Sequence, residues 1–548
     1  MAQDSKKPVD DADQSLLSSS AKGAYYLVLL QLASRMLTFT MHQVIIRYTS
    51  RETLGIASIK LELLLSTILF ISREGFRCAL LRGDADTEKR SNEDGEQKIT
   101  NLSYIPTSVG LVTTFLACGY YLSKIGQDEA SRYPYYRTSV VLFGVSALAE
   151  LLVEPLFVLA MNRLYFQLRV SVEGVAVILR CLVTFGLTLL GATGQTNTYG
   201  VLAFAIGQLV YGLTMALGYS GYFLLRTNTR SDAMSLLPRK LRSADGRTYW
   251  FDDQLLSLAS TLTKQSLLKH VLTEGDKMLI SALSTDEDQG EYAFAVNYGS
   301  LVARILFQPL EETGRTFFSK VLSAKNDISA FKTASDVLLV ILRFHVLLGL
   351  VFICFATNYT ETLIDLLVGK RWSMQSNAPA VLSAYCMYVP IMGINGITEA
   401  FVQAVAWKSD LTRLSYYMVS FSVCFMAAGY VFMSVLELGA IGLVLANMVN
   451  LTIRIVYSWR FITAYFYRNG NNISIRAWFP STFTLSGFVA SWVITKWSKS
   501  LGWETLNQKC MHIGVGVCCF GVIGLIILWK DRGLLYDIRR LTRNRKND

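Results

Sequence analysis

What most limits the folds open to this chain is its row of long apolar blocks. Between residues 23 and 529, stretches of about 20 residues with few charges alternate with polar breaks, and each is long enough to cross a bilayer as a helix. Inside lipid, backbone groups must be satisfied within a helix or a closed barrel. The blocks lack the period-two alternation of barrel strands, so helices are expected. Only 17% of the 548 residues are charged, below the roughly 25% of soluble domains. The chain reads as an all-α polytopic membrane protein.

About fourteen transmembrane helices are expected, near 23–46, 53–72, 100–123, 135–161, 165–191, 199–225, 264–284, 289–309, 336–357, 378–406, 412–435, 439–464, 478–497 and 510–529. The longest polar and basic break, 226–263, sets six spans before it and eight after. Two turn-overs echo one another: TSRETLGIA at 49–57 and STDEDQGEYA at 284–293 each follow a polar run with Gly and Ala. An even-numbered helix repeat is a common transporter plan. The expected organisation is a tail (1–22), an N-lobe (23–225), an inter-lobe loop (226–263), a C-lobe (264–468), two further helices (478–529) and a basic tail (530–548).

Loops after even-numbered helices, with both tails, hold about three times the Lys and Arg of the other loops, which places both termini in the cytosol. The first apolar block is too long for a cleaved signal, so the spans themselves are expected to insert the chain. The net charge of +11 is scattered through short loops and offers no platform for nucleic acid. Nine cysteines form no CxxC pair. Cys118, Cys181, Cys354 and Cys424 fall inside apolar blocks and are expected as small buried hydrophobes.

Enzyme readings fare poorly. Ile364 stands where a Walker loop before Gly369-Lys370 needs glycine. The histidines His42, His270, His345 and His512 are far apart and form no HExxH zinc motif. The DAD at 84–86 reads as a solvated run on a cytosolic loop, and the first non-cytosolic loop, RYTSRE, is short. No cofactor, metal or catalytic residue is expected.

What remains is charge inside spans. HVLTEGDKMLISALS, 270–284, places Glu274 near mid-bilayer; His270, Glu274 and Lys277 share one helix face, while Asp276 points elsewhere. The next block carries Asn297 and Arg304 seven residues apart. Arg35 and Arg47 lie in the first block, Arg73 and Arg77 close the second, and Glu150 and Glu154 sit one turn apart before Pro155. Arg169, Glu173 and Arg180, then Asn395 and Glu399, then Arg454, continue the habit. A charge at mid-membrane costs about 2.5–3.5 kcal/mol on insertion scales, so these residues should face a bundle interior or a wet cavity. Arg73 and Arg77 have an interfacial alternative, snorkelling to the headgroups. Arg169–Glu173 reads as a local ion pair, Arg180 and Glu399 as structural, and Glu150 and Glu154 as partners for a neighbouring helix. For Arg304, Arg454 and the 270–277 cluster, buried salt bridges are the alternative to anion binding. The excess cations suit a pyrophosphate or carboxylate headgroup, with the tail of a glycolipid left in lipid.

HVLTEGDKMLISAL and DQGEYAFAVNYGSLVARILFQPLEE, with FISREGFR, AELLVEPLFVL and NGITEAFVQAVA, closely resemble the eukaryotic Rft family of oligosaccharide translocation proteins, within the multidrug, oligosaccharidyl-lipid and polysaccharide exporters. The resemblance spans nearly the whole chain. It implies two six-helix lobes around a central cavity plus two C-terminal helices, residence in the endoplasmic reticulum, and a part in making dolichol-linked oligosaccharide for N-glycosylation. Bacterial lipid flippases of similar plan line their cavity with basic residues of helices 1, 2, 7 and 8, which maps by helix onto Arg47, Arg73, Lys277 and Arg304. The substrate-binding set expected here is Arg47, Arg73, Arg77, His270, Glu274, Asp276, Lys277, Asn297, Arg304 and Arg454. Expected partners are the dolichol-linked pyrophosphate glycolipid, membrane lipids and enzymes of the glycosylation pathway. The competing reading is a non-transporting accessory factor that binds the same lipid. A sequon at Asn358 lies on the expected lumenal side, too near helix 9 for ready modification, and the ending RKND resembles a dibasic retrieval signal.

Overall fold

The computed structural model describes residues 36, 38–81, 92–163, 165–193, 199–226, 236–242, 248–322 and 328–531. Arg35, the tail 1–22, the DAD run and the ending RKND lie outside them. Helix α1 is described over 38–48. There follow α2 (Arg51–Leu80), α3 (Gly95–Lys124), α4 (Tyr136–Asn162), α5 (Phe166–Ala192), α6 (Gly200–Arg226) and α7 (Asp253–Leu283). Next, α8 runs from Asp286–Val302 through a π-turn, Ala303–Phe307, into Gln308–Val321. The last six are α9 (Ala330–Leu367), α10 (Ala378–Val405), α11 (Thr412–Val435), α12 (Gly439–Arg468), α13 (Thr482–Ser500) and α14 (Leu506–Lys530). Among the described residues, ten helices are long and apolar enough to span a membrane. α7, α8 and α13 are helical but more polar, so the expected count rests on ten clear spans and not fourteen.

Several boundaries differ from expectation: α7 starts at Asp253 and not near 264, α8 continues to Val321 and not 309, and α9 runs to Leu367 and not 357, so Asn358 lies within α9. The second helix runs on to Leu80 and the third starts well before residue 100, so Arg73 and Arg77 lie on helical backbone and not in a loop. The described residues form two compact units, one within Met1–Thr53 and Leu61–Val271, the other within Leu54–Lys60 and Leu272–Asp548. The division falls inside α7, and the segment 236–252 belongs to the first unit.

In the first unit, α4 breaks at Val153 and resumes at Glu154. Pro155 has no N–H for the carbonyl of Leu151, and that oxygen accepts instead from Thr107 Oγ1 of α3 at 2.7 Å. A buried cluster including Phe76, Leu80, Leu102, Phe157, Val158 and Tyr219 packs α2, α3, α4 and α6 together around this break. At Gly75 a Cβ would fall 2.4 Å from Thr263 Cα, so glycine lets α2 close on α7. Outside the spans, a short antiparallel ribbon pairs Leu241 with Tyr249 and Arg242 with Thr248. Beside it, burial works against the Asp252 carboxylate, but Lys98 and the amides of Leu255 and Gln254 outweigh it and hold that group below its usual range.

In the second unit, Phe318, Leu338, Leu342, Ile397, Phe401, Ile462 and Phe466 join α8, α9, α10 and α12. Here the two echoed turn-overs meet. A Cβ on Gly55 would lie 2.3 Å from the Asp286 carbonyl and 2.7 Å from the Gly290 nitrogen, and Lys60 pairs with Asp286 at 2.8 Å. Thr285 caps α8 reciprocally with Asp288.

Helices α13 and α14 are tied to α9 by polar bonds. Asn358 Nδ2 donates to Thr495 Oγ1 (2.8 Å) and the Trp492 carbonyl (3.1 Å), and His512 bonds Ser498 Oγ at 3.0 Å while stacking on Tyr359 at 4.1 Å. Lys509 pairs with Asp365, and Lys499 with Glu361. Asp531 returns to accept from Ser481 and Thr484 at the start of α13. All nine cysteines are free; Cys354 is buried and Cys118 and Cys181 half-buried. Cys424 is exposed, contrary to expectation, because α11 turns that side away from the protein, and in a bilayer such a face meets lipid.

Gly55→Leu should destabilise the detergent-solubilised protein by about 1–3 kcal/mol through overpacking, lowering its Tm. Gly119→Leu, with nothing within 4 Å of its Cβ position, should leave Tm unchanged. Asn358 has spent its amide on α13, so glycosidase treatment should produce no mobility shift, and Asn358→Ala should lower Tm by leaving the Thr495 hydroxyl and Trp492 carbonyl without that donor.

Candidate functional site

The spacing of charges on α2 and α4 builds the site of the first unit. Arg73 and Arg77 are one helical turn apart, as are Glu150 and Glu154, so the two helices pair rung by rung. Arg73 Nη1 reaches Glu150 Oε2 at 3.3 Å and Glu154 Oε2 at 3.9 Å. Arg77 grips Glu154 with both ends of its fork, Nε to Oε1 at 2.7 Å and Nη2 to Oε2 at 2.6 Å. The Arg77 guanidinium also lies 4.0 Å over the Phe157 ring. Glu150 takes a further bond from Gln208 Nε2 at 3.2 Å. A π-turn over Phe70–Glu74 carries Arg73. Snorkelling does not describe these two arginines, because carboxylates of α4 hold both.

The pairs share an asymmetry. The Arg77 side chain is 22% exposed and Glu154 only 1%; for Arg73 and Glu150 the values are 20% and 6%. In the second unit Lys277 is likewise more open than Glu274, at 2.9 Å, and Arg454 more open than Glu399, at 2.5 Å. In the first unit the carboxylate is the buried anchor and the cation the presented end; in the second both partners are half-buried, with the cation somewhat the more open. Glu399 is steadied by Asn395 Nδ2 and Gln403 Nε2, each at 3.3 Å. Chemically this is a set of cations fixed in orientation, partly neutralised, with donor edges still uncovered.

The remaining candidates divide. Arg304, on the π-turn of α8, is exposed; its Nη2 donates to Ser300 Oγ at 2.8 Å, and it meets no carboxylate within 4.0 Å among the described residues. Arg47, at the end of α1, is exposed. Asn297 has its Nδ2 buried with no hydrogen-bond partner among the described residues. His270 is buried within the first unit, 3.0 Å from Thr67 Oγ1 and 4.8 Å from the Phe70 ring. Asp276, off the face of its neighbours, accepts from the Tyr292 hydroxyl at 2.9 Å and the Lys277 amide at 2.8 Å. The expected local pair Arg169–Glu173 is present at 2.9 Å, and Arg180 reaches Glu62 at 3.5 Å.

Gln208 and Tyr292 were not singled out by sequence: a glutamine or tyrosine in an apolar run carries no charge signal. The matched four-residue spacing of Arg73/Arg77 and Glu150/Glu154 was the signal that could have paired α2 with α4.

Residues 19–541 match the family described as Rft protein. The chain belongs to that family. It is 33% identical over 545 residues to a Xenopus tropicalis protein named "Man(5)GlcNAc(2)-PP-dolichol translocation protein RFT1", covering 96% of this chain and 97% of the relative. The Mus musculus protein of the same name is 33% identical over 554 residues, with 98% and 99% covered. That of Yarrowia lipolytica is 35% identical over 491 residues, with 84% and 72% covered. Among solved structures, "Lipid II flippase MurJ, inward closed conformation" superimposes with a TM-score of 0.56 at 13% identity, over 92% of this chain and 98% of that one. "Inward-facing conformation of a multidrug resistance MATE family transporter of the MOP superfamily" gives 0.53 at 11% identity, over 80% and 98%. At such identities the structures show the fold: this Rft family member has the polytopic helical architecture of those transporters.

Removing one member of a buried pair typically costs about 3–5 kcal/mol, so Glu154→Ala should cut the yield of folded protein sharply. The double change Arg77→Met with Glu154→Leu should restore much of it, since an apolar pair of similar volume replaces a buried ion pair at little cost. Fluorescence-detected size exclusion of the two variants checks both outcomes.

Proposed function

We propose that this chain translocates a dolichol-pyrophosphate-linked oligosaccharide from the cytosolic to the lumenal leaflet of the endoplasmic reticulum membrane, for protein N-glycosylation. The observation that carries this reading is the near full-length match to Rft proteins named for translocation of Man(5)GlcNAc(2)-PP-dolichol. It acts as a carrier and not as an enzyme, needs no cofactor, and keeps both termini in the cytosol. The expected N-lobe (23–225) and C-lobe (264–468) serve as the two halves of an alternating-access cycle.

The chemistry of the side chains supports the same reading. A pyrophosphate cannot enter a low-dielectric region unpaired. Arg47, Arg73, Arg77, Lys277, Arg304 and Arg454 supply the countercharge, and Asn297 a neutral donor. Guanidinium forks match phosphate oxygens in pairs of bonds. Glu150, Glu154, Glu274 and Glu399 have two effects. They fix the cations before the lipid arrives, which lowers the ordering cost of binding, and they compete with the headgroup so that it can leave again. His270 and Asp276 hold the framework through Thr67 and Tyr292.

The alternative is an accessory factor that binds this lipid, or stabilises other glycosylation enzymes, without moving it. One observation favours it: Arg73, Arg77, Lys277 and Arg454 already have carboxylate partners, as in a static scaffold. Purified protein in liposomes containing the authentic glycolipid separates the two readings. Accelerated leaflet exchange is expected. Exchange no faster than in protein-free vesicles would leave the accessory reading standing.

Arg304→Ala should slow that exchange roughly 10- to 100-fold at normal protein level, the loss of one charge-assisted bond of about 1.5–3 kcal/mol. Arg304→Lys should recover part of the rate, because it keeps the charge and loses the fork.

A further inference from the structure

The short ribbon outside the spans of the first unit is built too carefully for a passive connection. Asn101, fully buried, sits between its two arms. Its Nδ2 donates to the Arg239 carbonyl (2.7 Å) and the Trp250 carbonyl (2.8 Å), and its Oδ1 accepts from the Arg239 amide at 3.0 Å. Gln97 Nε2 bonds the Leu237 carbonyl at 3.0 Å, Tyr104 Oη the Leu236 carbonyl at 2.9 Å, and Lys98 pairs with Asp252 at 2.8 Å. The backbone of the ribbon is thus clamped onto α3; Leu241 is buried, while several other side chains are turned outward. Leu237, Trp250 and Phe251 are 57%, 45% and 39% exposed, and Arg239, Lys240 and Arg242 are exposed beside them. Lys240 stands 5.9 Å over the Trp250 ring.

Height along α3 identifies what lies next to this surface. Tyr104 immediately precedes Ile105, where the apolar stretch of α3 begins. The uncovered Leu111, Val112, Phe115 and Leu116 follow about 10–18 Å further along, at 1.5 Å per residue. The clamp therefore stands at the level where hydrocarbon gives way to headgroups. The end of α6 bears the same mark: Arg226 lies 4.7 Å over the Tyr222 ring and 5.7 Å over that of Tyr165, the aromatic and basic company found at membrane interfaces. Asp252 is neutralised by Lys98, which leaves Asp253 as the exposed acid next to it; against it the described residues of the ribbon set Arg239, Lys240 and Arg242, so their outward charge is positive.

We propose that this ribbon is a foot resting on the membrane surface, its cations on the anionic phospholipid headgroups of the adjacent leaflet and its aromatic rings at the interface. A row of three basic residues attracts an anionic surface within a Debye length. Trp and Phe gain by lying half in the headgroup layer, whereas exposed to water they would be an unexplained apolar cost. A two-stranded piece pinned from behind by a buried asparagine suits contact with a surface better than entry into a groove.

The test uses the full-length protein in vesicles with 30% brominated phosphatidylserine in phosphatidylcholine, against vesicles with the same bromine content on phosphatidylcholine alone. The fluorescence difference between the parent and Trp250→Phe isolates the signal of Trp250. Quenching of that signal should be about twofold or more stronger with brominated phosphatidylserine. The excess should vanish in Arg239→Gln/Lys240→Gln/Arg242→Gln. The parent in high salt gives an independent check without mutation, and should also lose it. Equal quenching by both lipids would overturn the proposal, leaving no selection by charge. Absence of quenching by either would do so too, and would turn the surface towards a soluble acidic partner.

Discussion

A carboxylate cannot stay ionised deep in a membrane protein unless something pays its desolvation, and here the basic side chains do. Glu154, almost wholly covered by protein, takes both ends of the Arg77 fork and the edge of Arg73; Glu150 takes Arg73 and Gln208. Each acid is satisfied, and each base is aimed. The geometry of the first unit follows. α2 and α4 must lie side by side in a register that brings two four-residue spacings together, and the break at Val153 must leave Glu154 at the head of the resumed helix. The freed Leu151 carbonyl then goes to Thr107, which draws in α3.

The second unit uses the same device more sparingly. Glu399 beside Arg454 and Glu274 beside Lys277 keep two cations oriented, while among the described residues Arg304 has a serine hydroxyl from the preceding turn and no carboxylate. The close approach of Gly55 to Gly290 and the pair Lys60–Asp286 organise the beginning of α8. Between lipid tails there is no hydrophobic drive to bring helices together, so small residues at contacts and satisfied polar bonds carry the association. The bonds tying α13 and α14 to α9 belong to the same economy.

Much of the fold was legible in the sequence, because a bilayer forces long apolar helices to declare themselves. Ten spans fell where the blocks lay. α7, α8 and α13 were expected as spans as well; they are helices, but polar residues such as Glu274, Asp276 and Lys277 keep them out of the clear spans. Of the site, the residue types were visible and the pairings only partly so. Arg169–Glu173 is local and could be read from spacing. Arg77–Glu154 joins residues 77 positions apart, and only the matched spacing hinted at it. Asp276 with Tyr292 could not be read at all, because a tyrosine in an apolar run looks like any other core residue. Cys424 was misread for a related reason: in a membrane protein an apolar block has a face towards lipid, so apolar does not mean buried.

The long separation between the arginines and their acids has a bearing on how the chain is made. At about 5–20 residues per second of synthesis, α2 is complete roughly 4–15 s before the ribosome has produced Glu150 and Glu154. During that interval Arg73 and Arg77 have no α4 to pair with. The pairing of Arg73 and Arg77 is thus completed only after α4 exists, although it fixes the register of α2.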